Sequence, residues 1–466
     1  MCSVTTPAHS CAAAFRCGAA REARRSHCDA EKNMPADQAI IRLSASLGGR
    51  YLSRLAGEGP QSVYHFCLNI VLLRTLSPYD YGTFSIIFIT AATATLFSDA
   101  LFAIPATVYI PSRCGCAARV LDVTIGSVAL VVCSALSIVT AIAIWIWLGS
   151  LSVSCFGSAF IGLWALRNYT RAVALAQPWR AGGARATLSD LTYVVSGTAL
   201  LIVLPRVLHL PLTPGLVFGG LSAACALGIL PCFLDRGWRI RISFRARIFR
   251  RYGRFLPALL WSLAGAGTAI VLGQSQAFLV AGIAGPAAFA PIAAGFVLLA
   301  PIRVLTGSVL NVLRPELSRR DETRDAASIQ KVLIFSVQCA LLFVLAYGAC
   351  LLLAWPLVKS LLFAKQFVGE PMGLIVTMAW LTAMTYTAYQ PFRALAQSQS
   401  RFRDITLATL AGGITGFITV LLLLLTFGPA ISIGGALVGE ATTFFLLWGA
   451  YLRSRAPGFV ARFGGT

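Results

Sequence analysis

Arg303 stands in an apolar stretch eleven residues before Arg314. At 1.5 Å per helical residue that places it about 16 Å from the stretch's end. Arg167 and Arg171 are four residues apart in another such stretch, so they share one helix face about half-way along it. Arg50, Arg54 and Glu58 form an i, i+4, i+8 stripe just before a Gly59-Pro60 break, and Asp99 and Glu440 fall near the middle of their own apolar runs. Gln274, Gln276, Gln338 and Gln390 add neutral polar groups. A charge at a bilayer centre costs about 2.5–3.5 kcal/mol on insertion scales, so such residues usually face a wet cavity. Guanidinium grips phosphate oxygens through paired hydrogen bonds, and a cavity holding more arginine than carboxylate suits an anionic, phosphate-bearing substrate. Simpler readings stand beside this one. Arg50, Arg54, Arg171 and Arg254 could snorkel to headgroups, and Asp99 or Glu440 could neutralise an arginine in a static ion pair. Arg303 and Arg167 are the hardest to explain in those ways.

These residues need membrane helices to hold them, and the composition supplies them. The chain has 466 residues, 57% of them hydrophobic and 12% charged, with mean hydropathy +0.77; a soluble domain would carry about 25% charged residues. The net charge of +21 would suggest nucleic acid in a soluble protein. In a membrane protein, positive charge collects in cytoplasmic loops beside anionic headgroups, so nucleic acid is not expected as a partner. Most cysteines are scattered singly through apolar runs, where a thiol acts as a small hydrophobe, and Cys114-Gly-Cys116 is too short for zinc spacing. No metal or other cofactor is expected.

Apolar segments of about 20 residues predict twelve membrane helices, near 53–76, 83–110, 120–148, 152–177, 186–208, 212–234, 255–281, 287–312, 329–354, 372–396, 403–426 and 431–452. Alternate loops differ sharply in charge. One set carries Arg113, Arg119, Arg180, Arg185, the run Arg236 to Arg254, Arg314, Arg319, Arg320, Arg324, Arg401 and Arg403; the other holds Arg206, Lys359 and Lys365. The positive-inside rule then places the first set and both termini in the cytoplasm. The organisation expected is a tail or misassigned start at 1–35, an N-terminal six-helix lobe at 36–234 opening on an amphipathic lead-in, a basic cytoplasmic linker at 235–254, a C-terminal six-helix lobe at 255–452 and a cytoplasmic tail at 453–466. The linker's eight arginines suit contact with lipid headgroups.

No GxxxxGK[ST] or HExxH occurs, and no loop on the bare side exceeds about twenty residues, so no catalytic residues are assigned. Glycine pairs (Gly215 with Gly219, Gly412 with Gly416, Gly435 with Gly439) match small-xxx-small helix packing. Ser77-Pro78-Tyr79-Asp80-Tyr81-Gly82 aligns with Gly285-Pro286-Ala287-Ala288-Phe289-Ala290, each at the junction of a half's first and second helices. The match suggests two parallel lobes related by an axis along the membrane normal.

LLRTLSPYDYGTFS at 72–85 resembles the corresponding passage of the polysaccharide (O-antigen or exopolysaccharide repeat-unit) flippases of the multidrug/oligosaccharidyl-lipid/polysaccharide exporter (MOP) superfamily. SQAFLVAGIAGPAAFAPIAAG, VLRPELSRR, PLVKSLLFAKQF and GPAISIGGALVGEATTFFLLW follow in the family's order, so the resemblance covers about residues 40–452. It implies an all-α polytopic protein of about twelve helices in two V-shaped, MATE-like lobes. The implied function is flipping of polyprenyl-diphosphate-linked oligosaccharide across the bacterial inner membrane for surface polysaccharide (lipopolysaccharide) synthesis, with ion coupling and no enzymatic step. Implied partners are that lipid-linked sugar, membrane lipids and the polysaccharide polymerase or export machinery. On that basis Arg303, Arg167, Arg171, Arg54, Gln274 and Gln276 are the expected substrate-binding residues and Asp99 or Glu440 the coupling group. Gln276 stands where relatives often carry an acid early in the seventh helix, which shifts the coupling role to those two. A multidrug/cation antiporter of the same superfamily is the first alternative, and a membrane glycosyltransferase or O-antigen polymerase the second.

Within 72–85, Pro78 is expected to stop the first span, Gly82 to free the start of the second, and Tyr79 and Tyr81 to join the interfacial aromatic belt.

Overall fold

The structure is a computed structural model that describes residues 59–110, 115–175, 182–208, 211–234, 242–322, 326–399 and 401–455. The terminal segments, the lead-in before Gly59 and the Arg50, Arg54, Glu58 stripe lie outside the described residues. In the first half, α1 (59–75) is followed by α2 (Pro78–Ser98), which runs through a π-helical turn (Asp99–Ala103) into α3 (Ile104–Tyr109). Then come α4 (Gly115–Leu148), α5 (Leu151–Leu175), α6 (Gly182–Leu208), α7 (Pro214–Leu234) and the short amphipathic α8 (Ala246–Gly253). The second half holds α9 (Leu256–Ile283), α10 (Pro286–Leu298), α11 (Ala300–Glu322), α12 (Ala326–Leu353) and α13 (Trp355–Val358), which leads into a second π turn (Lys359–Phe363). It closes with α14 (Met372–Ser398), α15 (Phe402–Phe427) and α16 (Ile433–Arg455).

With α2–α3 and α10–α11 each taken as one rod, the described residues form twelve long rods in the expected order. Eight helices are long and apolar enough to cross a membrane, nine if the bent pair α10–α11 is one span. The remaining rods are α1, whose described part is short, and α5 and α14. Arg167, Asn168 and Arg171 lower the hydropathy of α5, and Gln390 and Arg393 that of α14; all five face other helices rather than lipid alone.

The second rod of each half is irregular near a proline, with a π turn in the first and a bend in the second. Pro105 has no N–H to give the Leu101 carbonyl, four residues back. That carbonyl instead accepts a 2.7 Å hydrogen bond from the Tyr252 hydroxyl of α8, while the Ile104 N–H reaches Asp99 O across the π turn. Near Pro301, α10 and α11 meet at 49°. There the Ile302 N–H turns to Leu299 O, and the Leu298 carbonyl is taken by the Tyr347 hydroxyl at 2.5 Å. Asp99 begins the first break and Arg303 lies one turn past the second.

The two matching elbows lie against each other. Ser77 caps α2, its Oγ accepting the Asp80 N–H and donating to Asp80 Oδ2 at 2.7 Å; Gly285 instead starts α10 from φ +88°, a conformation that favours glycine. Gly82 lies inside α2, not at its start. A Cβ there would fall 1.8 Å from the Pro286 carbonyl oxygen, so its role is to let α10 approach α2. Tyr81 is fully buried rather than interfacial, whereas Tyr79 is 48% exposed. Gln366 Nε2 donates to Leu76 O at 2.5 Å and ties the loop before α14 to the same elbow.

At this end the halves share one core, with Leu72, Tyr81 and Phe84 of the first beside Val280, Phe289, Ile292 and Ile375 of the second. Towards the opposite end the buried clusters separate. One gathers Phe102, Ile125, Tyr169 and Tyr252, another Leu313, Leu317, Leu333 and Leu395. The halves share one core at the elbow end; towards the arginine-rich end α9 stays against the first half, its Leu259 in the cluster of Phe102 and Tyr252, while the cluster of α11, α12 and α14 stands apart. Within the second half, α15 and α16 cross where Gly412, Gly416 and Gly439 let the backbones touch, as the small-residue spacing predicts.

Tyr252→Phe should lower stability by about 1–2 kcal/mol, the cost of leaving a part-buried carbonyl unpaired, read as a lower Tm in detergent. In a Pro105→Ala background the regained N–H can reach Leu101 O, and the same change should cost less. Equal costs in both backgrounds would show that the carbonyl has other means of satisfaction.

Candidate functional site

Two polar clusters lie inside the rods, one in each half. In the first, α5 presents Arg167 and Arg171 to Asp190 of α6. Arg167 Nη2 lies 2.5 Å from Asp190 Oδ1 and Arg171 Nε 2.9 Å from Oδ2, with Asp190 1% exposed and Arg167 3%. Arg167 also donates to Gln61 Oε1 (3.2 Å) and Ser189 O (3.4 Å). Its guanidinium stands 4.4 Å from the Tyr193 ring centroid and 5.8 Å from that of Trp164. Tyr193 shares a 3.0 Å hydrogen bond with His65. Gly228 leaves the space: a Cβ there would meet Arg167 Nε at 2.9 Å, and Ser189 Oγ donates to the Gly228 carbonyl. Asp99, half-buried at the π turn, accepts from Asn168 at 2.7 Å and lies within electrostatic reach of Arg171.

The second cluster differs in charge. Arg303 of α11 is exposed, its guanidinium 5.6 Å from the Phe296 ring centroid and 6.0 Å from that of Tyr386. Glu440 of α16, 6% exposed, accepts a 2.8 Å hydrogen bond from the Tyr389 hydroxyl of α14 and feels the charges of both Arg303 and Arg393. Thr306 and Thr387 join α11 to α14 through their hydroxyls at 3.2 Å. Among the described residues no carboxylate stands within ion-pair distance of Arg303, Arg314 or Arg393. Buried charge must be paired, whereas a guanidinium facing a cleft keeps its hydrogen-bonding fork for a ligand.

The structure thus sorts the sequence candidates. Arg167 and Arg171 stand together on one carboxylate, Arg303 and Glu440 share the second cluster, and Asp99 belongs to the first. Gln274 and Gln276 lie on α9; Gln276 is 6% exposed and its Nε2 has no hydrogen-bond partner among the described residues. Arg54 lies outside the described residues. Sequence reasoning missed Asp190 and Arg393. Both sit inside predicted spans, the same signal that singled out Asp99 and Glu440. Which arginine meets which carboxylate depends on helix packing across 19–23 residues of chain, beyond any periodicity.

Replacing Asp190 by Ala removes the buried carboxylate that Arg167 and Arg171 share. The expected loss is about 3–5 kcal/mol, the cost of breaking a buried pair from one side, read as a lower Tm and reduced yield of folded protein. Unchanged stability would mean that water already reaches this cluster.

No family profile and no curated protein matches the sequence. Among solved structures, the inward-facing conformation of a multidrug resistance MATE family transporter of the MOP superfamily is similar over 87% of this chain and 98% of its own, with TM-score 0.67 and 14% identity. The outward-facing conformation of a MATE family transporter is similar over 87% and 94%, with TM-score 0.57 and 14% identity. A MOP superfamily transporter from Pyrococcus furiosus is similar over 86% and 94%, with TM-score 0.57 and 14% identity. The chain is an all-α polytopic membrane protein with a MATE-like fold.

Proposed function

We propose that this protein transports an anionic, lipid-linked saccharide, a polyprenyl-diphosphate-linked oligosaccharide, across the bacterial inner membrane by alternating access. The observation that carries the reading is Arg303: exposed on α11, flanked by the Phe296 and Tyr386 rings, with no described carboxylate at ion-pair distance. Its free fork suits a diphosphate, and the aromatic faces beside it suit sugar rings. Arg54, Gln274 and Gln276 contribute further polar contacts. Arg167 and Arg171, held on Asp190, act by fixing the wall and setting its charge. Asp99 and Glu440 are the groups whose protonation follows the transport cycle. With the arginine-rich loops and both termini on the cytoplasmic side, the elbow end is the outer, closed gate. Each half then supplies one lobe, 36–234 and 255–452, linked by 235–254, and polysaccharide polymerase or export machinery receives the product.

A multidrug or cation antiporter is the second reading, favoured by the multidrug resistance transporters that share the fold. In the Pyrococcus furiosus transporter, reverse polarity of the binding pocket suggests a different function. Pocket polarity is likewise the property that separates the two readings here, because a cationic drug needs carboxylates where Arg303 stands.

Arg303→Ala should abolish complementation of surface-glycan export in a deletion strain while leaving the protein's membrane level unchanged. Normal export by that variant would remove Arg303 from the site. Altered drug sensitivity of the deletion strain, with glycans intact, would favour the antiporter.

A further inference from the structure

Arg303 is not alone on its helix face. Arg314 follows eleven residues later, about three turns and 16 Å along α11, so both point nearly the same way. Between them Gly307 faces open space, with no atom within 4 Å of where a Cβ would stand. Opposite Arg314 is Arg393 of α14: Leu313, Leu317, Ala394 and Leu395, the neighbours of these arginines in sequence, pack into one buried cluster where the two helices meet. Partial desolvation, and then the like charge of Arg393, pull the Arg314 guanidinium below the ordinary arginine range. The Nε of Arg393 is buried with no hydrogen-bond partner among the described residues. Tyr386 lies beside Arg303 and within electrostatic reach of Arg314. Glu440 is the carboxylate that Arg303 and Arg393 both feel, and it is already hydrogen-bonded to Tyr389.

Two guanidiniums held near each other with an unfilled donor and no carboxylate between them make a site for an oxyanion. We propose that Arg314 and Arg393 form a second phosphate-binding station towards the arginine-rich end, which holds phosphoryl oxygens before they reach Arg303. The passage to Arg303 rests on the transport reading above; the binding of phosphate at the arginine pair does not. The same chemistry fits an isoprenoid diphosphate, free pyrophosphate or an anionic phospholipid headgroup.

The test uses the full chain in phosphatidylcholine nanodiscs, titrated separately with geranylgeranyl diphosphate and inorganic pyrophosphate, and repeated in discs containing phosphatidylglycerol. The wild-type protein is expected to bind two geranylgeranyl diphosphates, and R303Q and the R314Q/R393Q double variant one each. The double variant should lose about tenfold or more in affinity at the missing site, as for lost charge-assisted contacts. R314E can pair with Arg393 and remain folded, and it should lose the same site; R314K should retain it with weaker binding. Competition by phosphatidylglycerol, abolished in R314E, would identify a headgroup as the occupant, and pyrophosphate binding lost in R314E would identify a free anion; either supports the station. Wild-type stoichiometry and affinity in both R314E and R314Q/R393Q would overturn it. Normal glycan export by R303A, together with binding lost in R314E, would sink the transport reading and leave the station standing.

Discussion

Asp190 sets the charge pattern of the protein's interior. An ion in a dry helix bundle is tolerated only when it is paired and hydrogen-bonded, and this one carboxylate takes Arg167 on one oxygen and Arg171 on the other. The pairing holds α5 to α6, while Gln61 and Gly228 bring α1 and α7 to the same point. The first half thereby becomes close to neutral inside. The second half has no such clamp for Arg303, Arg314 and Arg393 among the described residues, so positive charge without a carboxylate at ion-pair distance is concentrated there. The asymmetry between the halves arises from Asp190 together with Asp99, which lies within electrostatic reach of Arg171.

Proline breaks give that asymmetry its geometry. Each half frees a carbonyl near a proline of its second rod, at a π turn in the first and a 49° bend in the second, and satisfies it with a tyrosine hydroxyl from another element, Tyr252 in one case and Tyr347 in the other. Backbone polar groups at membrane depth must be satisfied within the protein, so a break survives only where such a donor is at hand. The breaks turn Asp99 and Arg303 away from straight helical registers, and the tyrosines tie both breaks to neighbouring helices. The elbows, held by the approach of Gly82 to Pro286, provide the end at which the halves share one core.

Much of this was legible in the sequence, because membrane spans depend on composition over about 20 residues and nothing more subtle. The order of the rods and the glycine contacts of α15 with α16 follow from local rules, whereas α2 starts at Pro78, five residues before the apolar run from 83 that marks its span. Gly82 and Tyr81 show where local reading stops. A glycine near a helix start suggests backbone freedom, and a tyrosine near a span end suggests the interface. Both residues instead serve the contact between halves, and their neighbours there lie some 200 residues away in sequence. Arg167 shows the same limit in the site. Its depth marked it as unusual, yet the property that separates it from Arg303, a carboxylate on the next helix, is invisible to spacing.

Composition and local preference settle the surrounding solvent, the number and order of the helical rods, and which side chains carry charge into them. Hydropathy and covalent preference act over one or two turns, so those features needed no partner. Tertiary structure decided which charges cancel. Coulomb pairing and hydrogen bonding act over a few ångströms, and only packing brings Asp190 to Arg167, or Arg393 towards Arg314. Which arginines remain to meet a ligand is therefore a property of the fold.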